Sequence, residues 1–444
     1  MRQSTEGWRR TLGWFGLLAV LVGLNYVRST TRLTLPTLRV EDGTHVFAHF
    51  YENRGVAEIF RFKAGYVPLV ANITGWLSVR LPTRFIPYGL TLFPLALYVG
   101  ASSMVVSRRY AAWIPSQVAR GLIAMLFVLS PLANTNLRAH TDYSIWTTLF
   151  MLILLTARPL PQRRWPKVFC LGAVNLLIWS HPLTIVALPV VTFFLIRERG
   201  DRALYGITVL NLIIHQLVGV ASSSVFGSMK GAAVLTKIAA AAGWTVIVTA
   251  KTAFAAALGT SSLDWANERA AYLFVIWGLV LVGTLAYVFH RVRRTRGPIL
   301  LSLYYIVSLT FLSLISRGYD TAGLIEGGRR YVHIQGLLFL LIYGLLGYEF
   351  GTLTLAHYDS RLPRQGRSLI KRLAATLPVG VLLCHHLVMG YDVGDPPSHA
   401  VENGLIVRRF FDELAELEAV KGSHRGIYLV ASKVDDWPIV IDTR

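Results

Sequence analysis

The chain has 444 residues, 54% of them apolar and only 15% charged, with a mean hydropathy of +0.50. That composition excludes an ordinary soluble domain and points to a polytopic membrane protein. The net charge of +20 does not imply nucleic acid as a partner, because the Lys and Arg residues fall in short segments between apolar runs, the pattern that orients a membrane protein.

The runs are unbroken and of helical length, so helices that satisfy their own backbone are expected rather than a β-barrel. Residues 1–11 carry Arg2, Arg9 and Arg10, and the apolar run 12–27 lacks a small-residue cleavage site, which reads as a retained first span. Residues 28–65 form a polar loop, with an amphipathic piece from Val46 to Ile59 expected to lie on the membrane surface. Residues 66–85 are apolar but interrupted by Pro68, Asn72, Gly75, Arg80 and Pro82, so a re-entrant or surface helix is expected there. Further spans are expected at 86–106, 118–133, 142–157, 168–180, 182–196, 204–225, 270–290, 298–316, 331–350 and 373–390, eleven with the first. Segment 226–269, with Lys230, Lys237 and Lys251 among small apolar residues, is compatible with a helix pair or a helix on the membrane. Arg120, one turn into its span, is expected to snorkel.

With a cytoplasmic N-terminus, the inner segments hold 21 of the 44 Lys and Arg residues, although the opposite side is more than twice as long. This places residues 28–85, 226–269, 317–330 and the C-terminal tail outside. Ten of the 24 acidic residues lie in the tail 391–444, so the working polar surface faces out. In that tail Asn403 to Val420 has helical periodicity and Gly426 to Ala431 alternates like a strand. The expected organisation is therefore a membrane body over 1–390 and a small α/β appendage over 391–444. Cys170 and Cys384 lie far apart in apolar runs and form no disulfide or metal framework.

Four groups of residues could carry chemistry. Glu41 and Asp42 precede Gly43 in the first outer loop, where Asp-Gly is also an ordinary turn dipeptide. A carboxylate there can accept a proton from a hydroxyl or hold a divalent cation, and Asp42 is the better candidate, with Glu41 supporting. Arg329, Arg330 and Tyr331 follow Gly327 and Gly328 at the outer start of a late span; guanidinium forks suit phosphate, although Arg and Tyr also anchor helices at interfaces. Lys63 and Tyr66 stand beside the interrupted stretch and suit a lipid headgroup or simple surface anchoring. His140, Asp142 and His181 are ionisable groups at the ends of apolar runs, where such groups commonly face a cavity. No Gly-rich nucleotide loop, Cys/His metal motif or Gly-x-Ser-x-Gly elbow is present, which argues against a nucleotide-driven pump.

A first span, an acidic outer loop, a surface helix, many further spans and an Arg-Tyr pair at the start of a late one together resemble the GT-C glycosyltransferases. Val40 to Gly43, Ala64 to Tyr66 and Arg330-Tyr331 look like motifs of bacterial members. The resemblance implies an all-α polytopic fold in the bacterial inner membrane and inverting transfer of a sugar from a polyprenyl-phosphate donor to a hydroxyl of a glycan or lipid acceptor outside, in cell-envelope glycan biosynthesis. It implies Asp42 as base or metal ligand, Glu41 as its companion and Arg330 as phosphate clamp. The chain departs from the pattern in having no clear second acidic motif among Asp264, Glu268, Asp320 and Glu326. Two other readings stand beside this one: a flippase or transporter of a lipid-linked glycan, which would need paired broken helices, and a structural subunit anchored by its charges.

Overall fold

A computed structural model of the chain describes residues 2–28, 34, 36, 41–63, 66–133, 138–222, 232–260, 272–317, 329–358, 367–389, 405, 407–416, 427–431 and 438–442. The described residues are dominated by helices, and every apolar run of the sequence contains one. In chain order these are α1 (Arg2–Arg28), α2 (His49–Glu52), α3 (Leu69–Ser78), α4 (Ile86–Ser103), α5 (Gln117–Val128), α6 (Ser144–Thr156), α7 (Arg164–Ile178), α8 (Leu188–Arg197) and α9 (Arg202–Ser222). They continue with α10 (Ala232–Leu258), α11 (Tyr272–Arg291), α12 (Arg293–Arg317), α13 (Arg329–Tyr358), α14 (Arg367–Met389) and α15 (407–416). Strands β1 (Ile427–Ala431) and β2 (Pro438–Asp442) pair antiparallel, with Leu429 opposite Val440.

Among the described residues, five helical stretches are long and apolar enough to cross a membrane: Thr83–Val106, Thr236–Leu258, Tyr272–Arg291, Arg293–Ile315 and Tyr331–Leu355. In α11 Val275, Leu279, Val280 and Val282 are all exposed, an apolar surface that suits hydrocarbon rather than water. The described part of segment 226–269 holds the long helix α10, closed at Gly259, whose φ of 93° is the left-handed conformation a helix C-terminus commonly uses; the rest of that segment lies outside the described residues. Helix α3 has ten residues and is about 15 Å long, half of what a crossing needs.

The contacts divide the chain into two interleaved units. One comprises Met1–Asn25, Ser102–Ala133 and Met229–Asp392. Its helices meet through glycines on α13. A Cβ on Gly336 would stand 2.4 Å from Leu132, one on Gly344 2.6 Å from Ile123, and one on Gly351 2.7 Å from the Ala374 carbonyl of α14. Missing side chains thus let the backbones close, which is how helices gain contact where lipid supplies no hydrophobic drive. Polar links reinforce this packing: Tyr343 donates to the Ala253 carbonyl at 2.7 Å, and Arg294 pairs with the buried Glu349 at 2.7 Å. Arg120 does not snorkel. It is buried and donates to the carbonyls of Val106, Ile114 and Pro115 at 3.1, 2.5 and 3.1 Å, because the turns before α5 leave those acceptors without helical partners.

The other unit comprises Tyr26–Ala101, Asn134–Ser228 and Val393–Arg444. Val46, Phe47, Ala48 and Phe50 are buried in it against Val79, Ile86, Leu90 and, from α15, Val407, Phe411 and Leu414. The apolar side of this expected surface piece therefore faces protein, while Val56 and Phe60 farther along are exposed. Gly75 of α3 admits the contact, since a Cβ there would lie 2.4 Å from Val46 and 2.9 Å from Phe50.

Candidate functional site

Residues Glu41–Ala48 form a turn of π-helix that runs directly into α2, rather than an extended loop. This coil turns the Asp42 side chain inward, where it is 2% exposed. The wider π-helical turn is often found at functional sites. The Glu41 backbone belongs to the same turn, and its side chain lies outside the described residues.

Asp42 meets the segment just before α6. Its Oδ2 lies 2.5 Å from Nδ1 of His140, and its Oδ1 accepts the Asp142 backbone N–H at 2.8 Å. Both carboxylate oxygens are thereby oriented, and a carboxylate facing Nδ1 places a ring proton there. The segment is itself held in place: Thr141 donates to the Leu90 carbonyl at 2.8 Å, and Ser144 to the Thr141 carbonyl at 2.7 Å.

Lys63 completes the group. Its Nζ pairs with Oδ1 of Asp142. A backbone bridge between Lys63 and Tyr66, N–H to carbonyl at 2.7 and 3.2 Å, fixes the backbone at the lysine. Asn72 secures the approach to that bridge by donating to the Ile59 and Arg61 carbonyls at 3.0 and 3.1 Å. Three stretches far apart in sequence thus contribute one chain of charges, Asp42 to His140 and Asp142 to Lys63. Side-chain exposure rises along it from 2% and 3% at Asp42 and His140 to 15% and 29% at Asp142 and Lys63. The group is sealed at Asp42 and opens at Lys63, the arrangement of a site approached from one side.

His181 stands in the same unit but does another job. Its Nδ1 accepts the Leu183 N–H at 3.0 Å and so caps the 3-10 turn Pro182–Ala187, while its ring meets Trp146 edge-on at 4.5 Å. An accepting Nδ1 carries no proton, so the ring is a neutral structural cap. Arg329, Arg330 and Tyr331 make the first turn of α13; the side chains of both arginines lie outside the described residues, as do Ala64, Gly65, Gly327 and Gly328.

The described donors around Asp42 do not fit a divalent cation. Among the described residues no group of three His, Cys, Asp or Glu is arranged to hold one. The Asp42 oxygens already face a ring nitrogen and an N–H, and the further carboxylate described beside them, Asp142, is neutralised by an ammonium. Arg138, two positions before His140 and fully buried, is a residue the sequence reading passes over. Its signal is composition: a guanidinium in the same short run as His140 and Asp142.

Comparison with family models, characterised proteins and solved structures returns no match.

Proposed function

We propose that this protein is a membrane glycosyltransferase, moving a sugar from a polyprenyl-phosphate donor to a hydroxyl acceptor on the extracytoplasmic face with inversion at the anomeric carbon. The observation that carries the reading is the half-sealed group Asp42, His140, Asp142 and Lys63. An oriented carboxylate supported by a histidine can take the proton from an attacking hydroxyl. In the step, the acceptor oxygen forms its bond to the anomeric carbon as the bond from that carbon to the phosphate oxygen breaks. Because Asp42 is sealed and both its oxygens are engaged, the group must open from the Lys63 end to admit the acceptor hydroxyl; the acceptor proton then passes to Asp42, and the electron pair leaves on the lipid phosphate.

The second carboxylate beside Asp42 is Asp142 rather than Glu41 in this reading, with Glu41 a neighbour of unassigned contacts. Lys63, at the open end, is placed to meet an incoming phosphate. Arg329 and Arg330 begin α13, where the helix dipole already disfavours positive charge; an anion bound there would relieve both. Their role as clamp, the eleven crossings, the bacterial inner membrane and the outward orientation all belong to this proposal, and so does a C-terminal appendage outside. Helical composition and five span-length apolar helices support its membrane part.

The test is a transfer assay with purified protein and a polyprenyl-phosphate sugar. Asp42→Asn should lower turnover by about 10²- to 10⁴-fold, the usual contribution of a general base, while donor binding stays near wild type. Arg330→Ala should weaken the donor. Turnover of Asp42→Asn at the wild-type rate would remove Asp42 from the reaction.

A further inference from the structure

Away from the Asp42 group, within the same unit, charge gathers where α7 and α9 begin and α8 ends. Between positions 163 and 202 six Lys and Arg residues stand against only two acidic ones, Glu198 and Asp201. Packing draws them to one place. Lys167 of α7 pairs with Asp201, just ahead of α9, at 2.7 Å. Farther along the two helices Asn211 donates to Asn175 and accepts from Trp179, each at 2.9 Å. Helices α7 and α9 therefore run parallel with their first turns side by side, and α8 closes beside them at Arg197.

Both acids are used within the cluster, Asp201 by Lys167 and Glu198 by Arg197 at 3.8 Å. Arg163, Arg164, Arg199 and Arg202 are exposed, and among the described residues none of the four has a carboxylate partner. Arg202 donates to the Ile196 carbonyl at 3.4 Å, which leaves its charge in place. The backbone dipole opposes positive charge at the start of a helix, so these arginines stand against the local field. Apolar side chains continue the surface from them. On α7 Trp165 and Phe169, one turn apart, are 68% and 73% exposed, and on α8 Phe193 and Ile196 are exposed, with Arg197 over the Phe193 ring at 5.7 Å. A soluble anion would match the charge and leave the aromatic surface in water. A phospholipid matches both halves, with phosphate on the guanidinium forks, acyl chains along the apolar side chains and an indole at the boundary between them.

We infer that this shared end of α7, α8 and α9 binds anionic phospholipid, with the four unpaired arginines on the headgroup phosphates and the acyl chains along Trp165 and Phe169. The inference is independent of the transfer reading, since none of these residues belongs to the Asp42 group.

The experiment reconstitutes the full chain in phosphatidylcholine bilayers carrying a fixed fraction of dibrominated phosphatidylglycerol or dibrominated phosphatidylcholine, and records tryptophan quenching. Subtracting the signal of Trp165→Phe isolates Trp165 from the other tryptophans. Phosphatidylglycerol should be preferred there by about fivefold or more, the effect of a single nearby arginine on an anionic headgroup. Arg163→Gln/Arg164→Gln and Arg199→Gln/Arg202→Gln should each lower the preference severalfold, and all four substitutions together should abolish it. If the fourfold variant does not fold, either double variant carries the test. Arg108→Gln/Arg293→Gln removes the same charge elsewhere and should leave the preference unchanged. Equal quenching of Trp165 by the two brominated lipids, or an equal loss in Arg108→Gln/Arg293→Gln, would overturn the surface. Loss of the preference in inorganic phosphate, against chloride at the same ionic strength, would overturn a lipid as its occupant.

Discussion

Removing Asp42 and His140 separately and together measures the contact on which the candidate site rests. Both side chains are almost fully buried, at 2% and 3% exposure, so water cannot replace either partner without opening the unit. Asp42→Ala deletes the bond to Nδ1 of His140 and leaves the Asp142 N–H, which Oδ1 accepts at 2.8 Å, without its acceptor. A hydrogen bond to a charged group contributes about 1.5–3 kcal/mol and an abandoned buried donor costs about 1–3 kcal/mol, so a loss of about 3–5 kcal/mol is expected. His140→Ala deletes one of these bonds and should cost about 2–3 kcal/mol, ring packing included. The double variant should fall short of the sum by about 2 kcal/mol, because the shared bond is lost only once. Asp42→Asn should cost less than Asp42→Ala, since its amide oxygen can still accept from Asp142 while its amide nitrogen donates to a His140 ring whose proton has moved to Nε2. Unfolding titrations in mixed detergent micelles, followed by tryptophan fluorescence, give all four free energies. Losses that add to within about 0.5 kcal/mol would show that the two groups do not interact, and the site would lose its central contact.

Gly75→Ala should destabilise by about 1–3 kcal/mol, because the new methyl would stand 2.4 Å from Val46 and 2.9 Å from Phe50 in a filled core; thermal unfolding checks it, and an unchanged midpoint would mean that α3 and the π-helical turn do not pack as described. His49 gives a pH effect. Burial, aided by the nearby Arg61, lowers its imidazole below the ordinary 6.5 despite the opposing pull of Glu58. A folded-state value below the unfolded one means that the unfolded chain takes up the proton first, so stability present above pH 6.5 should be lost as pH falls from there through the lowered value. Thermal midpoints between pH 7.5 and 5 should therefore fall less in His49→Gln than in wild type; parallel curves would contradict the assignment.

Helix positions are legible in the sequence because an apolar run that must bury or shield its backbone has one local solution. The expected runs 270–290 and 331–350 contain α11 and the core of α13 with ends shifted by at most a few residues, except where polar turns extend α13 to Tyr358. Glu41-Asp42 stood out for a similar reason, as charge where little is expected. The same local logic misjudged Arg120, since nothing in its neighbours along the chain reveals that three carbonyls lie within its reach.

By itself the sequence determined the class of molecule, its helices and a short roster of ionisable residues worth testing, all properties set by composition and by neighbours a few positions apart. Only the tertiary structure decided which of them meet. Asp42 finds His140 98 positions away and Lys63 finds Asp142 79 positions away. Glu41, one residue from Asp42, shares only its backbone turn in what is described. Pairings of that kind depend on how the core around Phe47, Ile86 and Leu90 seats the π-helical turn while Thr141 ties the lead-in of α6 to the Leu90 carbonyl, and a periodicity read along one segment carries no information about the partner that packing will bring to it.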